Sequence, residues 1–326
     1  MTIDENLLVL LLALLLDRIA GDPQWLWSRV PHPVVMFGAA ISYADQQLNP
    51  SSLTGSQRRM NGVAAILALL LLSIAAGFVF DRFFALFGLA GLVLEAGLVA
   101  IFLAQKSLAD HVAAVATALR GEGLAGGRNA VSRIVGRDPE TLDEPAVCRA
   151  AIESLAENFS DGVVAPALCY AIFGLPGLLA YKMLNTADSM IGHRSEKYID
   201  FGWAAARLDD IVNWPAARLS ILLIAAGAWI RRGMNPCREA IRVAMRDGGL
   251  HRSPNSGRPE AAMAGALNVQ LAGPRIYGGV VVTEPMINNP GRDVATAADI
   301  EDGVSVFYAS CMVLTGLIFG LFLCFL

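Results

Sequence analysis

Three polar stretches gather acids, amides and guanidinium groups in a chain that is otherwise short of them. The first is Glu153-Ser154-Leu155-Ala156-Glu157-Asn158-Phe159-Ser160-Asp161-Gly162. On a helix Glu153 and Glu157 fall one turn apart, and Asp161 joins their face if the helix continues. Like charges so spaced repel, so an isolated helix gains nothing from them. Two or three carboxylates on one face suit a divalent cation, which takes oxygen ligands and often bridges phosphates. Asn158 adds an amide beside them. Taken alone, the stretch also reads as a solvated helix face ending at Gly162.

The second stretch, Tyr181-Lys182-Met183-Leu184-Asn185-Thr186-Ala187-Asp188-Ser189-Met190-Ile191-Gly192-His193-Arg194, adjoins a hydrophobic run. A membrane flank needs one or two polar anchors, and this has many more. Lys182 and Arg194 can grip phosphate, and Asp188 can hold a metal or orient a base. Lys182 could equally snorkel to an interface, and His193 without neighbours reads as a surface histidine. The third stretch runs from Ala206 through Arg207, Asp209, Asp210 and Asn213 to Arg218. Adjacent aspartates leave a helix in different directions, so Asp209 and Asp210 do not chelate one ion from one face. One can bind metal while the other pairs with Arg207 or Arg218. An N-terminal cap before Pro215 accounts for one of these acids and not for the set. Near the amino terminus Asp22-Pro23 is turn chemistry, and His32 stands rigidly between Pro31 and Pro33.

Common catalytic signatures are missing. There is no G-x-x-x-x-G-K-[ST] phosphate loop, no H-E-x-x-H and no G-x-S-x-G. Gly121-Glu122-Gly123-Leu124-Ala125-Gly126 matches G-x-G-x-x-G literally. It follows an alanine-rich helical stretch rather than a strand, so it is expected to be a loop.

The elements that must position these groups are apolar. Of 326 residues 55% are hydrophobic and 17% charged, with a mean hydropathy of +0.51. That balance argues against a cytosolic globular enzyme. The net charge of -4 leaves no basic field and excludes nucleic acid as the main partner. Five scattered cysteines without a C-x-x-C pair make neither a disulfide framework nor a zinc site. A membrane span needs about 20 apolar residues, and the expected spans are 3–20, 62–80, 83–104, 163–184, 214–230 and 304–326. The acidic start, Asp4-Glu5, is unlike a signal peptide, so the first run is expected to stay as an anchor. Residues 163–184 carry Pro166 and the breaker Gly174-Leu175-Pro176-Gly177, which predicts either a kinked span or a re-entrant pair of half-helices. If the three polar stretches form one site, the segment must break at Gly174–Gly177 and return, or tilt within a protein-lined cavity. The polar regions 105–162 and 231–303 are rich in arginine and prefer the cytoplasm by the positive-inside rule. The chain reads as an all-α, polytopic helical integral membrane protein with broken or re-entrant segments and helical cytoplasmic loops.

Read jointly, Gly21-Asp22-Pro23, His32-Pro33-Val34 and the three polar stretches resemble the CobD/CbiB family of cobalamin biosynthesis. The resemblance runs from Asp17 to about Arg218, and the last hydrophobic span fits it; residues 231–302 are less distinctive. It implies adenosylcobinamide-phosphate synthase, a multi-pass ligase of the bacterial inner membrane. Such an enzyme joins adenosylcobyric acid to (R)-1-amino-2-propanol O-phosphate, using ATP and Mg²⁺. Its implied partners are these substrates, the lipid bilayer and other late enzymes of the pathway. A carboxylate acylates poorly, so ATP would first convert it to an acyl phosphate. That chemistry needs metal-held phosphates, cationic stabilisers and a base for the ammonium nucleophile. Residue chemistry assigns catalysis to Glu153, Glu157, Asn158, Asp161 and Asp188. It assigns substrate and phosphate binding to Lys182, Asn185, His193, Arg194, Arg207 and His32, and metal binding to Glu157, Asp161, Asp209 and Asp210. The competing classes are a membrane transporter or signalling protein, and a noncatalytic anchor for corrinoid enzymes.

Overall fold

Backbone groups in hydrocarbon must find their partners within the protein, which favours helices. The computed structural model describes residues 2–22, 27–136, 138–273, 275–277, 280–282 and 284–326. In chain order its helices are α1 (Ile3–Ala20), α2 (Pro33–Leu48), α3 (Gly55–Ala85), α4 (Leu89–Phe102), α5 (Gln105–Val131) and α6 (Glu144–Phe159). A π-helical turn (Ser160–Val164) then leads into α7 (Ala165–Ile191), followed by α8 (Trp203–Arg232), α9 (Met234–Asp247), α10 (Gly257–Leu267) and α11 (Ala297–Phe325). Five helical stretches are long and apolar enough to cross a membrane: Gly55–Ala85, Leu89–Val131, Glu144–Ile191, Trp203–Arg232 and Ala297–Phe325. The protein is a polytopic helical membrane protein. Its described strands are two short antiparallel ribbons, Leu271–Ala272 with Met286–Ile287 and Arg275–Tyr277 with Val280–Val282.

Local sequence sets the helix ends. Thr54 and Gln57 form a reciprocal box at the start of α3, where Gln57 N donates to Thr54 Oγ1 and Thr54 N to Gln57 Oε1. Asp143 Oδ1 accepts from Ala146 N at 2.8 Å and caps α6. The run expected to span from residue 83 starts later, because α3 continues to Ala85 and the chain turns at Gly88 (φ +55°). The expected loop at Gly121–Gly126 lies inside α5, where Gly123 alone (φ +68°) leaves helical geometry and makes a kink. Residues 255–259, whose asparagine, glycine and proline suit a loop, enter a helix early. Gly257 already begins α10, and Pro259 falls in the first turn, where its missing N–H costs nothing. The expected cap before Pro215 is absent. α8 runs through Pro215, so Asp209, Asp210 and Asn213 are helix-interior residues.

The chain groups into two units. One comprises Met1–Leu103, Ala165–Asn213 and Phe319–Leu326; the other comprises Ala104–Val164 and Trp214–Ile318. In the first, Ile41, Ile66, Leu184, Ala187, Ile191 and Phe201 form a core that joins α2, α3 and α7 to the turn before α8. α7 breaks at Gly174 (φ +62°, ψ -154°), a backbone region essentially closed to side chains, two residues before Pro176. Gly77 of α3 packs directly on the break, since a Cβ there would stand 2.4 Å from Pro176 Cα. The Asn6 amide of α1 lies against Gly174 on another side. An apolar cavity of about 400 Å³ adjoins the break, lined by Leu70, Phe78, Cys169, Pro176, Tyr181 and Val212. Its walls do not hydrate the freed backbone groups, so protein contacts must carry the kink. In the second unit α6 contacts α5 and α10, α9 packs on α10, and Phe159 meets Phe307 edge-on at 5.5 Å.

Gly174→Ala should therefore cost about 1–3 kcal/mol, the usual strain of a forbidden backbone conformation. Gly97→Ala, where an added methyl meets nothing within 4 Å, should leave stability unchanged or slightly raised. Thermal unfolding in one detergent checks the pair; equal midpoints would show that the break is not conformationally constrained.

Candidate active site

α7 and α8 bring the second and third polar stretches together within the first unit. Tyr181, Asn185 and Asp188 recur at helical spacing on α7, and Asp209 and Asn213 stand one turn apart on α8. The Tyr181 hydroxyl donates to Asn213 Oδ1 at 2.9 Å, and Asn213 Nδ2 donates to Asp209 Oδ2 at 2.8 Å. Asp209 is buried, and its Oδ1 has no hydrogen-bond partner among the described residues. Asn185 lies near that carboxylate, and the charge of Asp188 bears on it. Asp210, one residue on, faces a different environment. Its Oδ2 is 3.9 Å from Arg207 Nη1, and Arg194 acts on the same carboxylate. The expected division of the two aspartates is thus present, with Asp210 facing cations and Asp209 holding an open oxygen. Lys182 is half-buried on α7, while His193 and Arg194 are exposed in the turn that follows it.

That turn, residues 192–202, is tied down by groups which sequence reasoning missed. Asp45 of α2 is buried and accepts from Lys197 Nζ (2.7 Å), Tyr198 OH (3.1 Å) and Asn49 Nδ2 (2.9 Å). Asn49 also donates to Lys197 O, and Arg58 to Glu196 O. Gly62 of α3 lets Phe201 O approach to where a Cβ would be 1.9 Å away. Nothing in the sequence flags Asp45, because Lys197 and Tyr198 are 152 and 153 positions distant. His32, expected to bind substrate, is the N-cap of α2: its Nδ1 accepts from Val34 N, and its ring lies 4.4 Å from that of Trp27. Its Nε2 is 3.8 Å from Asp22; Pro23, of the expected Asp22-Pro23 turn, lies outside the described residues.

The first polar stretch belongs to the second unit, and its acids are spoken for in different ways. Glu153 is buried and accepts from Ala272 N at 2.7 Å, holding a strand residue with φ +61°. Glu157 Oε1 accepts from Ser256 Oγ at 2.8 Å. Asn158 donates back to Ser154 O within α6. After Phe159 the helix passes into the π turn that holds Asp161, so the regular α-helical spacing from Glu157 does not continue there. π turns gather at functional sites, and this one leaves the buried Ser160 Oγ without a partner. Among the described residues no three His, Cys, Asp or Glu side chains converge as a metal-holding group.

The CobD/Cbib protein family model matches residues 10–307. The chain belongs to that family. It is 68% identical over 315 residues to a cobalamin biosynthesis protein CobD from a Sinorhizobium species, covering 97% of this chain and 98% of the relative. A protein of the same name from Brucella suis biovar 1 is 53% identical, covering 96% of each chain. One from Rhodobacter capsulatus is 44% identical, covering 92% of each. No solved structure matches the chain. The family membership assigns the protein a role in cobalamin biosynthesis.

The Asp45 carboxyl is held below its ordinary range: burial alone would raise it, and hydrogen bonds from Lys197 and Asn49 outweigh that. A group so held stabilises the fold fully above the unfolded value of about 3.9 and loses that contribution as pH falls through its lower folded value. Amide protection factors across residues 192–202 should fall on acidification below about pH 4, where the carboxylate protonates. Asp45→Asn should start with low protection and show no such step. Identical profiles in both proteins would remove Asp45 as the anchor of the turn.

Proposed function

We propose that the protein is an ATP-dependent amide ligase of the inner membrane that joins adenosylcobyric acid to (R)-1-amino-2-propanol O-phosphate, giving adenosylcobinamide phosphate. The observation that carries this reading is the buried Asp209 carboxylate with its open Oδ1, set within a group that also holds Asp188, Arg194 and Arg207. Buried charge is costly unless partnered, so an open carboxylate oxygen in a membrane helix suits a cationic ligand.

Mg²⁺ fits this donor set. It needs only one or two carboxylates and completes its shell with phosphate oxygens and water, so the absence of a three-acid cage among the described residues is no obstacle. Asp209 would hold the ion, which when bound would screen the charge of the transferring phosphoryl group. Arg194 and Arg207 present planar forks for phosphate oxygens, held near the site by Asp210. Lys182 supplies a point charge from α7. The substrate carboxylate takes the γ-phosphoryl group of ATP, releasing ADP. The amine then attacks the acyl carbon, the amide bond forms and inorganic phosphate leaves. Asp188 is the carboxylate suited to accept the proton that the ammonium nucleophile must lose. Asn213 and Tyr181 are positioning residues, because they orient Asp209. Glu153 is better read as a support for the backbone at Ala272.

Purified protein in lipid discs, given both substrates, Mg²⁺ and ATP, should form the amide with one ATP consumed per bond. Carboxylate ¹⁸O should appear in the released phosphate. Arg207→Lys keeps the charge but loses the fork, so it should raise KM for a phosphate-bearing substrate by about tenfold, the weight of one charge-assisted hydrogen bond. Substrate flux without ligation would indicate a transporter, and corrinoid binding without ATP consumption would indicate an anchor. Either result removes the proposal.

A further inference from the structure

α9 begins two residues after the membrane-crossing helix α8 ends at Arg231-Arg232, with Gly233 (φ +92°) making the turn between them. Its inner face is Ala240, Val243 and Ala244, all fully buried. That face packs on α10, where Gly265 allows close approach to Glu239 O. Its outer face is not polar, as a water-facing helix requires. Met234, Ile241 and Met245 recur at intervals of seven and four residues, which places them on one side of the helix. They are 47%, 39% and 70% exposed. Arg238, Arg242 and Arg246, each one turn apart, run alongside them and are also exposed. From Arg231 to Arg258 the chain carries seven arginines against two acids, Glu239 and Asp247.

We infer that α9 lies in the membrane–water interface as an amphipathic anchor, with Met234, Ile241 and Met245 among the acyl chains and the arginines on anionic lipid headgroups. Three features select lipid as the occupant. The helix leaves a membrane span by a single-residue turn, so its start is already at the bilayer surface. The exposed Trp229 and the Arg231-Arg232 pair at the end of α8 are the residues that mark such a surface. The outer face also joins apolar side chains to a flanking basic row, the pattern of an interfacial helix on an acidic leaflet. Arg242 and Arg246 are oriented by Glu239 and Asp247 at 2.6 Å. Arg238 has no carboxylate partner among the described residues, so its charge is the most available to headgroups. The consequence is mechanical. α10 packs on α9 and carries Ser256, the partner of Glu157, at its N-terminal boundary. Anchoring α9 therefore fixes the depth of that acid relative to the membrane surface.

The test uses the full chain, with native cysteines replaced and one nitroxide label at Met245→Cys or Ile241→Cys, in discs of zwitterionic lipid with or without phosphatidylglycerol. Both labels should collide more with dissolved oxygen than with a water-soluble nickel complex, and the bias should grow with phosphatidylglycerol. Adding Arg238→Gln should lower the ratio of buried to free label about fivefold in the anionic discs, the weight of one basic residue at an acidic surface. Nickel-accessible labels in both disc types would overturn the inference. So would dipolar broadening between labels, which would assign the face to a second copy of the chain. Neither outcome depends on ligase activity.

Discussion

A polar group on an apolar helix must be answered by another polar group, and this constraint organises the first unit. Water does not serve it at membrane depth, where an unsatisfied donor or acceptor costs several kcal/mol. Glu95 of α4 is buried with Tyr170 of α7, whose hydroxyl donates to it at 2.6 Å. Asn213 lies between Tyr181 and Asp209, accepting from one and donating to the other. These two links tie α7 to α4 on one side of its break and to α8 on the other. The break at Gly174 can persist because each half of α7 is held by its own polar link and by close packing against Gly77. Among the described residues of this unit the buried Asn6 Oδ1, Asn49 Oδ1 and Asp209 Oδ1 escape the rule, and of these three only Asp209 is a carboxylate. Asp209 Oδ1 has every reason to be satisfied and is not, which makes it the natural place for a ligand.

The second unit uses the same economy for a different end. Glu153 meets the amide of Ala272, Glu157 meets Ser256, and Asp247 accepts from Arg246 and from Asn288 N. The buried Glu153 and Asp247 hold the backbone at Ala272 and Asn288, both at positive φ beside the small Leu271–Ala272/Met286–Ile287 ribbon. The resulting scaffold supports a short helix pair, α9 and α10, whose inner faces are small residues and whose outer face meets the membrane surface.

Much of this was legible in the sequence. The uncharged runs predicted helices at α1, α3 and α11, and the Gly-Leu-Pro-Gly breaker predicted the interruption of α7 at Gly174. That Asp209 and Asp210 face different surroundings followed from helical geometry alone. Other features were invisible for physical reasons. A proline after a polar cluster reads as a helix start, yet α8 passes through Pro215 because packing overrides one lost hydrogen bond. A continuing helix would have put Asp161 on the face of Glu157, and the π turn, which has no sequence signature, interrupts that spacing. The N-cap made by the His32 side chain was likewise not read from the sequence. Asp45 was missed altogether, since only the fold brings α2 beside the turn before α8.

Asp209→Asn tests the central claim most directly, because it keeps the shape and the bond to Asn213 while removing the buried charge. If Oδ1 is kept open for a cationic ligand rather than for the fold, the variant should lose ligation while its thermal midpoint stays unchanged or rises. A variant that turns over normally, or that loses activity only because it no longer folds, would contradict this account of the site.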